Sequence, residues 1–516
     1  MSSSQPGSRR TADAAQTRDE LQRLRPGMVA RYDQALPGAR AAVLSRLLGA
    51  VARERLPGLT GRGSGTATFA AGATSGAVEL SFPAEAATAF AQANAGLSVA
   101  LHPATGDAGT PADTVVDDPG ALVRLLWGDV PLAAEVDNSV ANLALARATT
   151  PPQTLPTDLG RIEQLVVDGH PLHPCCRTRG GMTVEDVLTY APEHSPVIRL
   201  RRLRVPDDRW SGTAPPVLYA HPWQAARLRD HYPWLTDDGE TGPGRPLMSL
   251  RTIALDDRHV KTAVDVQMTS AVRTVSPAAV NNGPILSALL RKLTADLPIS
   301  VLAETGGGAV VVDGEPQKHL AYLTREAPRP AHGELIVPLA AMAASPLLLA
   351  TVHDPYEWWA LLSDRLFAPL VTVLERGVAL EAHGQNTLVV LKDHRPHRIL
   401  YRDFGGVRVS AKRLNEEPPL IGDLPSDDPR ELRTKLAAAA FGNAGADLVA
   451  AFTRHFGTDP AKLWRRTAEA IRGIGTADAP HLLNDPLPVK ATTAMRLAGN
   501  PLDDLWAYLD NPLAAV

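Results

Sequence analysis

The stretch Glu381–Val409, EAHGQNTLVVLKDHRPHRILYRDFGGVRV, limits how this chain can fold more than any other. Thr387–Lys392 and His397–Arg402 are apolar-rich runs. Asp393-His394-Arg395-Pro396 between them is turn chemistry, so the segment reads as a β-hairpin. A four-residue loop sets Lys392 opposite His397, and counting back sets Asn386 opposite Asp403. His383 and Gln385 lie just before the first strand and Gly405-Gly406 just after the second. An amide and a carboxylate at the open end of a hairpin suit the capture of Mg²⁺ on nucleotide phosphates. The competing reading is a solvated hairpin end with glycine at the turn.

Asp403-Phe404-Gly405 repeats the tripeptide with which protein kinases hold Mg²⁺, a weak signal alone and a stronger one beside His383-Gly384-Gln385-Asn386. A kinase-like phosphotransferase would also need a catalytic-base Asp upstream of the Asn, and this chain has Gln385 there.

A chain of 516 residues exceeds one simple core, so two or three subdomains are expected. Apolar content of 44% with 21% charged residues fits a soluble globular protein. No apolar run reaches the ~18 residues of a membrane span. A formal net charge of −4 gives no basic bias toward nucleic acid. The only cysteines, Cys175 and Cys176, are adjacent, which disfavours a disulfide and makes the cytoplasm the expected location. Residues 1–20 are polar and rich in Ala, Ser and Arg, and read as a disordered tail.

Along the chain, Ala39–Leu56 and Ala121–Arg147 have helical spacing, with Glu135 and Asn138 reading as a solvated face. Thr66–Phe69 and Ala77–Phe82 alternate as strands do, so 21–155 reads as an N-terminal α+β part closed by the Pro/Thr-rich linker Ala148–Asp158. In Gly169–Glu193, His170, His173, Cys175 and Cys176 invite a zinc site, but their spacing fits no common pattern. Arg177 and Arg179 alternate like strand positions facing an anion, against a bland surface turn. Thr183 opens a helix ending near Tyr190. Met248–Thr252 reads as a strand, with Ser249 and Arg251 on one face. Lys261, Thr269, Ser270, Arg273 and Thr274 lie in an otherwise apolar segment, an arrangement that a bound anion explains. Ile299–Glu304 and Ala309–Val312 read as a hairpin about Thr305–Gly308, and Tyr322–Glu326 as a further strand carrying Arg325. Helical spacing returns over Tyr356–Gly377 and Asp428–Val516.

Cations thus come from the 156–345 part (Arg177, Arg251, Lys261, Arg273, Arg325) and the metal hairpin from the 346–516 part. A polyanion such as ATP between them explains both. Six blocks occur in order: Gly169-His170-Pro171-x-His173-Pro174; His221-Pro222-Trp223-Gln224; Ser249-x-Arg251-Thr252; Thr269-Ser270-Ala271-x-Arg273-Thr274 with Asn282-Gly283-Pro284; His383-Gly384-Gln385-Asn386; and Arg402-Asp403-Phe404. Together they resemble the IucA/IucC family, siderophore synthetases that work independently of nonribosomal peptide synthetases.

The resemblance implies an α+β cupped-hand fold of thumb (21–155), fingers (156–345) and palm (346–516), assembled as a homodimer. It implies ATP- and Mg²⁺-dependent adenylation of a carboxylic acid, citrate or a citrate or succinyl derivative. Attack by an amine or hydroxyl then gives an amide or ester, with release of AMP and pyrophosphate. By the same resemblance Ser249, Arg251, Thr252, Lys261, Gln385, Asn386 and Asp403 meet ATP, with Asn386 and Asp403 on Mg²⁺. His170, Thr269, Arg273 and His383 meet the carboxylate, and His170, Arg273 and His383 are the catalytic candidates. Arg177 stands where many members have Lys, which bears on the choice of acid.

Overall fold

The computed structural model describes residues 11–70, 76–103, 114–498 and 504–514. Three sheets organise the chain. The N-terminal one is an antiparallel meander of Leu59–Gly63, Thr66–Phe69, Val78–Ser81, Val99–Pro103 and Thr114–Val116 in sequence order. Its alternating apolar residues, such as Ala67, Phe69 and Leu80, are buried in one core with Val29–Arg53, Pro119–Trp127 and Pro131–Arg147. Residues 1–10 lie outside the described residues, but the second half of the expected tail is helix, Ala14–Leu24. Asp13 caps it, accepting from Ala15 N and Gln16 N at 2.9 Å while Gln16 Oε1 accepts from Asp13 N at 3.1 Å, a reciprocal box that polar composition conceals.

The middle sheet is antiparallel, in the order Arg245–Pro246, Thr252–Ala254, Arg258–Thr262, Glu315–Glu326, Glu304–Val312, Trp210–Gly212. Helix Pro277–Leu293 packs beside it. Two expectations need correction here. Residues 248–251 form a turn in which Leu250 has φ +64, and the strand begins only at Thr252. Glu304–Val312 is one continuous strand running through Thr305–Gly308, while Ile299–Val301 leaves to pair in parallel with Arg395–Tyr401. The Gly306-Gly307-Gly308 run reads as a turn in isolation, but neighbouring strands crowd it: a Cβ on Gly307 would meet Tyr322 O at 2.2 Å.

The third sheet holds the hairpin, in the order Ile299–Val301, Arg395–Tyr401, Thr387–Lys392, Glu334–Pro338. Its first and last strands come from the middle part of the chain. The register differs by one from expectation. The turn is Asp393-His394, both left-handed (φ +51 and +63), which is the two-residue turn matching strand twist. Lys392 therefore pairs with Arg395, a bulge follows, and Thr387 pairs with Tyr401. Asn386 faces Arg402, whose N–H donates to the Asn386 carbonyl at 3.1 Å, and Asp403 lies one step beyond.

Behind this sheet the helical segments Pro355–Glu375, Pro429–Phe456 and Pro460–Arg472 enclose the largest core, around Trp358, Trp359, Phe367, Phe441 and Phe452. Two helices, Pro26–Arg53 and Pro429–Phe456, are long and apolar enough to cross a bilayer by composition, yet 61% and 67% of their apolar 18-residue windows are buried inside the protein.

Candidate functional site

Arg402 anchors the open end of the hairpin. Its Nε and Nη2 donate to Gln385 O at 3.2 and 2.9 Å, and its Nη1 lies 2.7 Å from buried Glu163. Glu163 in turn accepts from Met248 N at 3.0 Å, tying the 248–251 turn to the hairpin. The chain then swings through a left-handed Asp403, φ +71, which aims its carboxylate at the middle sheet. There Lys261 Nζ meets both Asp403 oxygens at 2.8 and 2.7 Å, and Arg325 lies 3.5 Å from Asp403 and 3.1 Å from Glu304. Lys261 and Arg325 share a sheet face because their strands pair Lys261 with Leu323 and His259 with Arg325. Burial pushes the Asp403 carboxyl up, but Lys261 and Arg325 outweigh it and hold the group well below the usual carboxylate range. Lys261 itself is lowered, by burial first; Asp403 opposes this while Arg251 and Arg325 add to it. The pair is ionised, and the two directions differ because Lys261 also faces other cations.

Beside this cluster lies a second, rich in donors. His170 follows Gly169 at φ +71, where a Cβ would stand 2.3 Å from Cys176 O, so only glycine fits. His170 Nδ1 accepts from Leu172 N at 3.2 Å, and His383 Nδ1 accepts from Gln385 N at 3.2 Å. In each neutral ring the proton therefore sits on Nε2, which has no partner among the described residues. Burial lowers the His170 pKa to about 3, helped by His383, Arg46, Lys490 and Arg273, which places these groups within electrostatic reach of one another. Burial lowers His383 too, with Glu381 and Asp403 opposing. Arg273 is pushed down to about 10 by burial and by Arg251. Its Nη2 donates to Met268 O at 2.9 Å and to Thr269 Oγ1, leaving Nε and Nη1 without partners among the described residues. Arg251 likewise uses only Nη1, on Thr274 O.

Four cations (Arg251, Lys261, Arg273, Arg325) thus face two carboxylates, Asp403 and Glu304. Such an excess is costly unless an anion completes it. The buried Ser249 hydroxyl also lacks a partner, and Thr252 is buried at the start of the adjacent strand. The residues present therefore fit a phosphate chain. The Asn386 amide is 3.5 Å from Glu381 O, and Glu381 packs against Gly406, where a Cβ would meet its Oε2 at 1.9 Å. Asp403, Glu381 and Asn386 each offer oxygens of the kind that Mg²⁺ takes.

Several expectations change. Arg177 and Arg179 do not face an anion. They are buried on Glu193, Arg177 at 3.3 Å and Arg179 at 2.8 Å, with Arg177 Nε donating to Val167 O at 2.6 Å. The pair holds the Glu193 carboxyl at about 2 against its burial. Arg177 is therefore structural, and its difference from Lys does not reach the acid. Glu135 and Asn138 are buried, Glu135 pairing with Arg496 and Asn138 accepting from Arg179 N at 2.9 Å. Cys175 and Cys176 lie in the N-terminal core, and no group of three or more His, Cys, Asp or Glu among the described residues could hold a metal. The His221-Pro222-Trp223-Gln224 block is structural: His221 accepts from Trp223 N at 3.2 Å and Gln224 donates to Asp265 at 2.8 Å. Sequence reasoning missed Arg46, Glu304, Glu381 and the role of Lys490, which lies 3.5 Å from Glu381 and 3.1 Å from Asp504. Lys490 ends the otherwise apolar strand Leu487–Lys490, the one local signal available.

Fold and site bring donor-rich side chains of the middle sheet against the open end of the hairpin, an arrangement that fits a nucleotide beside an organic anion. Comparison with known proteins gives this class a family. Residues 158–216 and 213–344 match the model of the IucA / IucC family. Residues 356–501 match one described as ferric iron reductase FhuF-like transporter, but the chain's two cysteines lie outside that segment, so it offers no thiolate for an iron–sulfur cluster. The chain is 28% identical over 426 residues to staphyloferrin A synthase of Staphylococcus aureus (strain NCTC 8325 / PS 47), covering 69% of this chain and 73% of that one. It is 23% identical over 349 residues to D-ornithine–citrate ligase of the same strain, covering 50% and 51%. ATP-bound aerobactin synthetase IucA from a hypervirulent pathotype of Klebsiella pneumoniae superposes with a TM-score of 0.71 at 19% identity, over 92% of this chain and 99% of that one. Residues 158–344 are thus similar to the IucA/IucC family, and the chain shares the α+β fold of the synthetase structure on which it superposes.

Proposed function

We propose that this protein is an ATP-dependent siderophore synthetase that adenylates a carboxylic acid, citrate or a citrate or succinyl derivative. It then joins the acid to an amine or hydroxyl, releasing AMP and pyrophosphate. The observation that carries this reading is the pair of donor-rich clusters, linked where Arg251 and Arg273 come within electrostatic reach of one another and each keeps guanidinium nitrogens open. The relatives support it, being by name a staphyloferrin A synthase and a citrate ligase, and the ATP-bound neighbour supports use of ATP.

Arg251, Lys261, Ser249 and Thr252, with Gln385 beside them, hold the phosphates, and Asn386 and Asp403, with Glu381, hold Mg²⁺. Bound there, Mg²⁺ neutralises the charge on the phosphates. The Nε2–H groups of His170 and His383, Thr269 and the open donors of Arg273 bind and orient the carboxylate next to the α-phosphate. Because burial keeps both histidines neutral, they donate hydrogen bonds without taking a proton from the acid. Cations preorganised in a cleft stabilise the charge that grows as pyrophosphate leaves, and one such group is worth about 3 kcal/mol of barrier. The enzyme works in the cytoplasm as a homodimer, as the family resemblance implies, and light scattering of the purified protein tests the dimer. Product analysis with a panel of acids and amines tests the reaction. AMP with pyrophosphate supports it, and ADP with a phosphorylated acid would move the protein to the phosphotransferases.

A further inference from the structure

The turn that carries Thr269 and Arg273 is held from outside. Thr269, a β-branched residue, sits in the left-handed region at φ +54, a conformation that persists only where neighbours impose it. Two side chains from distant parts of the chain grip the next residue. Arg496 Nη1 donates to Ser270 O at 3.2 Å, and His173 Nε2 lies 2.7 Å from Ser270 Oγ. Cys175 N donates to His173 Nδ1 at 2.9 Å, which fixes that ring with its proton on Nε2, so His173 is the donor to Ser270.

Arg496 does not act alone. Its Nε donates to Glu135 Oε2 at 2.9 Å and its Nη2 to Glu135 Oε1, a forked pair with side chains 11% and 9% exposed. Glu135 is fixed on Pro131–Arg147, where its carbonyl accepts from Thr178 Oγ1 at 2.8 Å. The helix bearing Arg496, Thr492–Leu497, is itself docked on the thumb, because buried Glu54 accepts from Thr493 N and Ala494 N at 2.9 and 2.8 Å. One guanidinium therefore joins a thumb helix, the C-terminal helix and the tip of the hairpin formed by Val264–Met268 and Ala271–Arg273.

We propose that Arg496 and Glu135 are positioning residues for the acid-binding turn: the fork on Glu135 aims the remaining guanidinium nitrogen at the Ser270 carbonyl. This holds Thr269 and Arg273 in the geometry that leaves Arg273 Nε and Nη1 open. The inference rests on the carboxylate role assigned above to Thr269 and Arg273. Neither Arg496 nor Glu135 needs to touch the substrate, and the nucleotide cluster around Asp403 does not depend on them.

The test uses the full chain and the variants Arg496→Gln, Arg496→Lys and Arg496→Gln/Glu135→Gln. The double variant leaves no unpaired buried charge, so it keeps the test decisive should the single Arg496→Gln lose its fold. Acid KM is read by pyrophosphate release with citrate, ATP affinity by calorimetry, and protection of amides 268–274 by hydrogen exchange. Acid KM should rise about tenfold or more, the loss expected for a hydrogen bond to a charged group, while ATP affinity changes less than about twofold. Amides 268–274 should lose protection in every variant. Arg496→Lys keeps the charge beside Glu135 but not the fork, so it should fail to restore acid KM. Full recovery with Lys, equal weakening of acid and ATP, or unchanged exchange at 268–274 would overturn the proposal. Exchange is read without turnover, so a parent protein that releases no pyrophosphate sinks the proposed function while the exchange result still decides whether the pair holds the turn.

Discussion

Replacing Asp403 by Asn removes one charge from the centre of the nucleotide cluster, and the structure sets opposite signs for its effects. Asp403 is the carboxylate that Lys261 Nζ touches, at 2.7 and 2.8 Å, whereas Arg325 keeps Glu304 at 3.1 Å. Breaking a fully buried pair costs about 3–5 kcal/mol. Here the side chains retain 12% and 26% exposure and Asn still accepts one hydrogen bond, so the loss should be about 2 kcal/mol. The fold survives that. Catalysis should not, because the charge proposed to hold Mg²⁺ is gone, and kcat should fall about 100-fold or more. Metal-free nucleotide should respond the other way. With Asp403 neutral, Arg251, Lys261 and Arg325 face Glu304 alone, so the cluster gains one net positive charge. A unit charge about 6 Å from a phosphate at an effective dielectric of about 20 is worth roughly 2–3 kcal/mol before screening. ATP in EDTA should therefore bind about tenfold tighter to the variant than to the parent, while the Mg²⁺ needed for half-maximal activity rises. Calorimetry with and without Mg²⁺, beside pyrophosphate release, reads both. Asn386→Ala should resemble Asp403→Asn in activity, and the double variant should be little worse, since a shared ion couples them although they are not strand partners. Weaker metal-free ATP binding in Asp403→Asn, or fully additive losses with unchanged Mg²⁺ dependence, would refute the reasoning.

Three further outcomes follow from the same geometry. Arg273→Ala should raise the acid KM strongly and leave ATP affinity largely intact, as calorimetry with each ligand would reveal, because its open nitrogens belong to the carboxylate cluster. The Cys175→Ser/Cys176→Ser variant should lose stability by about 1–2 kcal/mol from polar atoms in the core but keep its activity, and metal analysis should find no zinc lost relative to the parent. Stability should fall on acidification from about pH 6.5 toward 4, because burial depresses His170 and His221 to about 3 and His194 to about 4. These groups are depressed in the folded state, so their stabilisation is complete above the unfolded value and is lost as pH falls toward the folded ones. His221→Asn keeps the acceptor for Trp223 N and should flatten the melting temperature across that range.

Local chemistry made some of this legible. The helix from Thr183 to Tyr190 announces itself by a capping box, with Asp186 N donating to Thr183 Oγ1 at 3.1 Å and Thr183 N to Asp186 at 3.0 Å. The hairpin shows in its apolar runs and turn residues, but its register does not. Asp393-His394 adopts two successive left-handed residues without a glycine to advertise them, and the bulge after Val390 restores the pleat. The continuous strand Glu304–Val312 was hidden for the converse reason, since its glycines suggest a turn until strand Glu315–Glu326 and Trp210 are known to press on them.

The site was legible in its residue types and illegible in its sorting. Five cations stood out in the middle of the chain, and composition treats them alike. What separates them is how many of their donors other protein atoms fill. Arg177 spends Nε on Val167 O, Nη2 on Val166 O and Nη1 on Glu193, a carboxylate sixteen residues away that only the folded chain brings near. A guanidinium so occupied has nothing left for a ligand, and its burial with Glu193 makes it part of the scaffold. Arg251 and Arg273 each commit one nitrogen, to backbone or turn oxygens that fix the plane of the fork and keep the rest of it free. Lys261 and Arg325 fall between, neutralised in part by Asp403 and Glu304 but still facing more positive than negative charge. Anion-binding arginines are therefore those held by carbonyls and hydroxyls, which orient a guanidinium without cancelling its charge. Arg46 meets only half of that criterion: its bonds run to the carbonyls of Ala42, Asp168 and His170, so its charge is kept, but they use Nε, Nη1 and Nη2 alike, and it acts on His170 through its charge.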